Sequence, residues 1–235
     1  EFIDRAGVTT VFSCGNNKIF TGTTTLVEVT LPVGYTISDN NWKVMSFNND
    51  VYFYQKGHQP LESVAGSSTL VGLTSTGGNS APQGNEVLAA FGRVWTCDLA
   101  DNKYTVYWSS LLAGDDWHGG SSGSVDLTTV WPTGFDEVVS LAEHNGFLII
   151  FGKKSIIIYT GAESPSSDLK LHDTIEGVGC VARDSVQSTG SDLFFLSSRG
   201  VMSLGRVVQE KSLPLNDISK NVRSDLLQTL AQETH

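Results

Sequence analysis

The four residues Gly152-Lys153-Lys154-Ser155 have the types that end a phosphate-binding loop, which would imply a nucleotide enzyme. A P-loop requires glycine, four residues and then Gly-Lys-Ser/Thr, so that backbone N–H groups surround the phosphates. Here Phe147 occupies the position of the first glycine, and a second lysine separates Lys153 from Ser155. The intervening Leu-Ile-Ile-Phe is typical of a strand, and no helix follows to direct its N-terminus at an anion. The sequence therefore predicts a β-hairpin with strands at 147–151 and 155–160 and no nucleotide site.

A second stretch, Gly119-Gly120-Ser121-Ser122-Gly123, fits the Gly-x-Ser-x-Gly pattern of a nucleophile elbow. That motif works only on a strained turn between a buried strand and a helix. The residues before it are polar, and 124–131 after it read as a strand. We expect a surface loop.

Histidine and cysteine spacing indicates no metal site. The histidines show neither His-x-x-x-His nor His-Glu-x-x-His, and no Cys-x-x-Cys pair exists. His118 lies near Asp115 and Asp116, but Trp117 and the following glycines indicate a loop. Three widely spaced cysteines predict reduced, mostly buried thiols, as suits assembly in a cytoplasm: Cys14, Cys97 and Cys180.

Two kinds of carbohydrate chemistry stay open. Scattered acidic residues could form a glycosidase pair from distant parts of the chain, although no pair stands out. Tryptophan faces could stack on sugars, although the cores of all-β proteins use tryptophan more often. The five tryptophans are Trp42, Trp95, Trp108, Trp117 and Trp131. We assign no catalytic, cofactor-binding or metal-binding residue, and we expect no cofactor and no enzyme activity.

Composition favours an all-β protein. The 235 residues include 24 Gly, and charged residues make up only 17%. The net charge of −10 is evenly spread, with −5 in residues 1–117 and −5 in 118–235. Neither half is a basic patch, which argues against tight binding to nucleic acid phosphates. No apolar run approaches the roughly 20 residues of a membrane-spanning helix, and no signal peptide opens the chain. Because the chain begins at Glu1, we expect a fragment of a longer protein.

Strand–turn–strand units recur along the chain. Each joins apolar runs through a Gly- or Asn-containing turn, the strongest local hairpin signal. The first turn of each unit falls near residues 16, 49, 92, 145 and 190, at intervals of about 33, 43, 53 and 45 residues. The units cover residues 11–24, 44–57, 87–110, 138–161 and 185–205.

Units of three or four antiparallel strands at this spacing are typical of β-propeller blades. Stacking between blades explains the runs 147–151 and 156–159, which do not alternate and would be covered on both faces. A β-sandwich is the rival architecture, and the mutual similarity of the units favours the propeller. Ser110, Gly114 and Trp117 also have the spacing of an Asp-box turn, but Leu112 occupies the Asp position.

The end of the chain has helical periodicity. Its apolar residues recur every three or four positions, and Asn216 or Asp217 caps the first turn. They are Leu215, Ile218, Val222, Leu226 and Leu230. We therefore divide the chain into blades at 1–212, with the set of blades incomplete, and a helical segment at 213–235 with its helix near 217–231. This segment would pack on its own domain, on another subunit or on a missing domain.

Four successive blocks of this sequence resemble the tail nozzle proteins of short-tailed bacteriophages, also called tail tubular protein B or packaged-DNA stabilisation protein. The resemblance extends from about residue 86 to 226. The blocks are 102–117, 126–161, 173–205 and 209–226.

The resemblance implies a β-propeller-containing subunit in a homohexameric ring below the portal and adaptor. It also implies contacts with the tail adaptor protein and tail fibres, a location in the virion, and double-stranded DNA passing through the lumen without sequence-specific binding. We expect a structural subunit that retains packaged DNA and releases it at infection. The alternative is a carbohydrate-binding or glycan-cleaving β-propeller that acts on the host cell envelope.

Overall fold

The structure is a computed structural model that describes residues 2–75, 78–132, 134–209, 224–226 and 228–229. Nearly all of its regular structure is antiparallel β-sheet, as the sequence predicts. The chain divides into two compact units, one ending at Val125 and the other starting at Asp126. We describe each unit by itself.

The described residues of unit 1 form a two-stranded ribbon, one three-stranded sheet and two four-stranded sheets, each with its strands in chain order. The ribbon is β1 (Phe2–Ile3) and β2 (Thr9–Thr10), and the three-stranded sheet is β3 (Phe12–Gly15), β4 (Lys18–Thr21) and β5 (Val27–Glu28). The next sheet is β6 (Lys43–Phe47), β7 (Asp50–Tyr54), β8 (Leu61–Val64) and β9 (Val71–Gly72). The last is β10 (Gly84–Ala90), β11 (Arg93–Leu99), β12 (Thr105–Trp108) and β13 (Gly123–Asp126).

Unit 2 contains one four-stranded and one three-stranded sheet, again in chain order. The first is β14 (Val138–His144), β15 (Phe147–Gly152), β16 (Ser155–Thr160) and β17 (Lys170–Glu176). The second is β18 (Gln187–Ser188), β19 (Leu193–Ser197) and β20 (Gly200–Ser203). Two short α-helices, α1 (Pro165–Asp168) and α2 (Leu204–Gln209), and the 3-10 helix Arg183–Ser185 also lie in this unit.

Four hairpins share one turn geometry. In each, both residues between the first and second strand have positive φ, from 48° to 79°. This is the pattern of a type I′ turn, whose twist matches that of the flanking strands and which asparagine and glycine adopt at least cost. The pairs are Asn16-Asn17, Asn48-Asn49, Phe91-Gly92 and Asn145-Gly146. The sequence located these turns correctly.

The two central strands of the β14–β17 sheet have almost no polar side chains. Ile150 pairs with Ile157, and Ile157 pairs on its other side with Thr174. Ile156 and Ile157 are both fully buried although they point to opposite faces. A strand covered on both faces needs no alternation of polar and apolar residues, which explains the sequence of β16.

Each unit has its own apolar clusters. In unit 2, one cluster combines residues of β15, β16 and β19 with Leu204 and Val207 of α2. In unit 1, one cluster surrounds Phe53 and Leu61, and another surrounds Tyr54 and Trp117.

The predicted C-terminal helix near 217–231 and the predicted domain boundary at 212 fall mostly on residues outside the described part. Residues 224–226 and 228–229, which are described, are helical. No helix among the described residues is long and apolar enough to span a membrane.

Candidate functional site

The Gly152-Lys153-Lys154-Ser155 stretch is a hairpin turn between β15 and β16, as predicted, and its backbone binds an anion of the chain itself. The buried Asp136 carboxylate accepts hydrogen bonds from the N–H groups of Lys153 (3.0 Å), Lys154 (2.8 Å) and Ser155 (2.9 Å). Successive backbone N–H groups of this kind form an anion-binding nest. The nest is filled by Asp136, so the turn has a structural role.

The hydrogen bonds to Asp136 take the place of the positive-φ residues that form the other hairpin turns. Neither Lys153 nor Lys154 has a positive φ, unlike the type I′ pairs of the other hairpins. The Asp136 carboxylate fixes the turn instead. A side chain at Gly152 would collide with Asp136 Oδ2, which explains the glycine. Lys153 Nζ lies 2.8 Å from Glu137 Oε2 at the surface. Sequence analysis missed Asp136 because 17 residues separate it from Lys153.

The loop with Asp-box spacing is held by a different aspartate from the one the motif specifies. Ser110 Oγ lies 2.9 Å from Asp116 Oδ2, and Asp116 Oδ1 accepts a hydrogen bond from the N–H of Gly119 (3.0 Å). Asp116 thus supplies the side-chain hydrogen bonds that Leu112 cannot. Leu112 itself is exposed and adopts a left-handed conformation (φ 57°).

The Gly119–Gly123 stretch is not a nucleophile elbow. It is a turn that leads into β13, and the Ser121 Oγ accepts a hydrogen bond from Arg93 Nη1 at 2.9 Å. Arg93 is buried and also donates to the backbone oxygen of Ser109 (2.8 Å). Burial lowers the pKa of Arg93. These contacts tie the loop to β11.

Within the described residues, no group of three or more His, Cys, Asp or Glu side chains is placed to hold a metal ion. One acidic grouping lies in unit 1, where burial and the nearby Asp50 and Asp115 raise the pKa of Glu62, which hydrogen-bonds Tyr52. A carboxyl group with a raised pKa is suited to proton transfer. Asp50 and Asp115 are the carboxylates near it, so this grouping is the part of the described chain that bears on the glycosidase alternative.

The cysteines are free thiols, as predicted. Cys97 and Cys180 are buried, and Cys14 is partly exposed. Burial raises the pKa of Cys14 to about 11 and raises the pKa of Cys97. Because the thiolate is the reactive form, these cysteines are poor nucleophiles at neutral pH.

The tryptophans separate into two classes. Four have exposures of 6% or less and belong to packed interiors: Trp95, Trp108, Trp117 and Trp131. Trp42 is partly exposed and lines a cleft of about 500 Å³ in unit 1. Its volume lies within the range of small-molecule sites, about 300–1,000 Å³. The cleft is lined by Phe2, Phe12, Cys14, Asn40, Trp42, Val44, Met45, Ser46 and Val51.

Unit 2 has a smaller apolar groove of about 260 Å³ next to α2. Phe147, Ile158 and Leu204 contribute to its wall, and the ring of His172 packs on Phe147 with centroids 4.6 Å apart.

Asp192 ties β19 to the start of α2. It accepts hydrogen bonds from the N–H groups of Leu193 (2.8 Å) and Gly205 (2.9 Å) and from the Ser203 hydroxyl. Burial raises the pKa of Asp192, but the hydrogen bonds from Ser203, Gly205 and Leu193, with the nearby His144, outweigh burial and hold this pKa below its usual value.

We therefore expect Asp192→Asn to destabilise the protein at pH 7 and to have less effect in acid. The unfolded carboxyl has a pKa of about 3.9, so the ionised group contributes fully above that pH and its contribution is lost as pH falls through the lower folded pKa. Urea unfolding of both proteins between neutral pH and about pH 2.5 measures this difference. Ser203→Ala should move the loss to higher pH. A difference that stays constant across the whole range would contradict this role.

Comparisons with known proteins identify the fold. No protein-family model and no curated protein sequence matches the chain. The solved structure of YCF48 bound to D1 peptide is similar with a TM-score of 0.53 at 10% identity, covering 82% of this chain and 59% of that one. The extracellular domain of the putative hybrid two component system BT3049 from B. thetaiotaomicron has a TM-score of 0.53 at 13% identity, covering 86% and 27%. A computationally designed protein, Ika8, has a TM-score of 0.48 at 15% identity, covering 87% and 57%.

The similarities to YCF48 and to the BT3049 domain establish the fold class. The chain is a β-propeller-like protein with antiparallel blades of three or four strands. This confirms the propeller prediction over the β-sandwich. The chain spans just over half the length of the YCF48 chain and about a quarter of the BT3049 chain.

Proposed function

We propose that this chain is part of a structural subunit of a short-tailed phage tail nozzle, which retains packaged DNA and lets it pass at infection. The observation that carries the proposal is the series of family-like sequence blocks. Residues 126–161 contain β14, β15 and β16, and residues 173–205 contain most of β17 and all of β18–β20. The resemblance therefore follows successive hairpins of unit 2, where an accidental short motif would match only one.

The hydrogen bonds found at the motif-like stretches support a structural role. The turn that resembles a P-loop binds the chain's own Asp136, and the serine of the elbow-like loop binds Arg93. Both motif-like stretches therefore have a role in stabilising the fold. The net charge of −10 also suits a DNA conduit, because each lysine or arginine bonded to phosphate would slow passage.

In this function, identical subunits meet through heterologous contacts, in which one surface of each copy meets a different surface of the next. Stable contacts of that kind bury more than about 1,000 Å². The ring would be a homohexamer, with the tail adaptor protein and tail fibres as its neighbours in the virion.

Cross-linking and mass spectrometry of purified virions test the proposal. We expect peptides of this chain in virions, cross-linked to copies of themselves and to the adaptor protein, and a sixfold ring in electron-microscopy averages of the tail. Capsid proteins of the same virions provide the control for cross-linker access. Virions that lack this chain would show that the structural assignment is wrong.

A second candidate function is a carbohydrate-binding propeller that acts on the cell envelope. The observation that favours it is the position of Trp42, which is partly exposed on the cleft of unit 1 while the other four tryptophans are buried. A glycan array separates this function from the first.

A further inference from the structure

We propose that the cleft lined by Trp42 in unit 1 binds an uncharged pyranose ring of a glycan, with the sugar stacked on the indole. This inference rests on the second candidate function and specifies its site. We refer to the cleft, with the lining residues given above, as the Trp42 cleft. It is formed entirely by residues of unit 1, from Phe2 to Val51.

Two aromatic residues that line the Trp42 cleft, Trp42 and Phe12, pack against the ring of Phe53. Trp42 packs edge-on against Phe53, with ring centroids 6.5 Å apart and an interplanar angle of 86°. Phe12 packs against the same ring at 5.2 Å and 78°. Phe53 is fully buried. A buried ring that contacts both wall residues fixes their orientations, so a ligand would meet a preformed surface and pay little to order it.

Polar groups at the cleft are available to a ligand. Asn40 and Ser46 are both exposed. The Oδ1 of Asn40 accepts a hydrogen bond from the N–H of Asn17 at 2.6 Å, which orients the amide. Neither Asn40 Nδ2 nor Ser46 Oγ makes a hydrogen bond to any residue in the described part of the chain. They supply a donor and a hydroxyl within the same cleft as Trp42.

The chemistry of the wall selects the ligand class. No Asp, Glu, Lys, Arg or His is among the lining residues, so nothing there would neutralise a charged ligand. Aromatic faces carry partial negative charge and attract the weakly positive C–H groups of a sugar ring, while its hydroxyls need donors and acceptors. A neutral pyranose satisfies both demands, whereas a purely apolar ligand would make no hydrogen bond to Asn40 or Ser46.

Titration of this chain with a panel of sugars tests the proposal. The neutral probes are methyl α-glucopyranoside, methyl β-galactopyranoside, maltotriose and N,N′-diacetylchitobiose, and the charged counterparts are glucuronic acid and glucosamine. Isothermal titration calorimetry gives the affinity. Tryptophan fluorescence shows where the sugar binds. A fluorescence change on binding that is lost in Trp42→Phe comes from Trp42.

Two variants and one matched control make the outcome decisive. Trp42→Ala removes the stacking face, and Ser46→Tyr fills the cleft from an exposed strand position without touching the packed interior. Ser68→Tyr makes the same change at an exposed serine outside the cleft. Circular dichroism verifies that each variant is folded.

We expect at least one neutral probe to bind and to change the Trp42 fluorescence. Its affinity should fall about tenfold or more in Trp42→Ala and in Ser46→Tyr and stay unchanged in Ser68→Tyr. Absence of binding by every neutral probe would overturn the inference, as would equal binding of the charged probes. Binding that survives both cleft variants would overturn this site but leave the second candidate function standing. None of these sugar-binding results bears on the virion test of the first function.

Discussion

Ile157→Ala is expected to lower the free energy of unfolding by about 2–5 kcal/mol. Ile157 is fully buried on β16, a central strand of the β14–β17 sheet, and it is paired with Ile150 on one side and Thr174 on the other. The substitution removes buried methyl and methylene groups and leaves a cavity that close-packed neighbours cannot fill. Urea or guanidinium unfolding monitored by circular dichroism measures the change.

The matched control is Leu171→Ala in the same sheet. Leu171 lies on β17, the outer strand, and is 49% exposed. Its truncation should cost only about 0.5 kcal/mol or less, because little apolar surface is taken from the interior. If Ile157→Ala cost no more than Leu171→Ala, β16 would be an exposed edge and the blade arrangement of unit 2 would be wrong.

Asp136→Ala is expected to destabilise the protein by about 2–4 kcal/mol. The carboxylate is 3% exposed and accepts hydrogen bonds from three successive N–H groups of the β15–β16 turn. Truncation removes the acceptor of the Lys154 and Ser155 N–H groups, while the Lys153 N–H keeps its bond to the Glu137 carbonyl oxygen at 3.2 Å. Hydrogen bonds to a charged group are among the stronger ones in proteins. Thermal and denaturant unfolding measure the loss.

Two further variants test the geometry of this nest. Asp136→Asn keeps one acceptor oxygen but places an amide N–H₂ against backbone donors, so it should fall between Asp136→Ala and the wild type. Gly152→Ala should also destabilise, because its new Cβ would collide with Asp136 Oδ2. Glu163→Ala removes an exposed carboxylate and serves as the control. A cost for Asp136→Ala as small as that for Glu163→Ala would contradict the structural role of the nest.

Local features of the sequence were enough to locate the central hairpins. Asn145-Gly146 and Phe91-Gly92 lie between apolar runs, and the conformation of a two-residue turn depends on those residues and their immediate neighbours. The long apolar run of β16 predicted burial on both faces, which the structure confirms. The outer strands were harder to predict. β17 is mostly exposed and carries no apolar run. The strand predicted at 124–131 exists as β13 but ends at Asp126.

Tertiary structure alone decided which distant residues meet. Asp136 fills the turn at Lys153–Ser155 only because β14 pairs with β15 and returns the chain to that point. Trp42 is partly exposed and the other four tryptophans are buried. This difference in exposure depends on how the sheets pack, because all five are the same residue type in the sequence. Turn type and strand character follow from neighbours in the chain. Anion nests and clefts follow from contacts across many residues, which no single segment encodes.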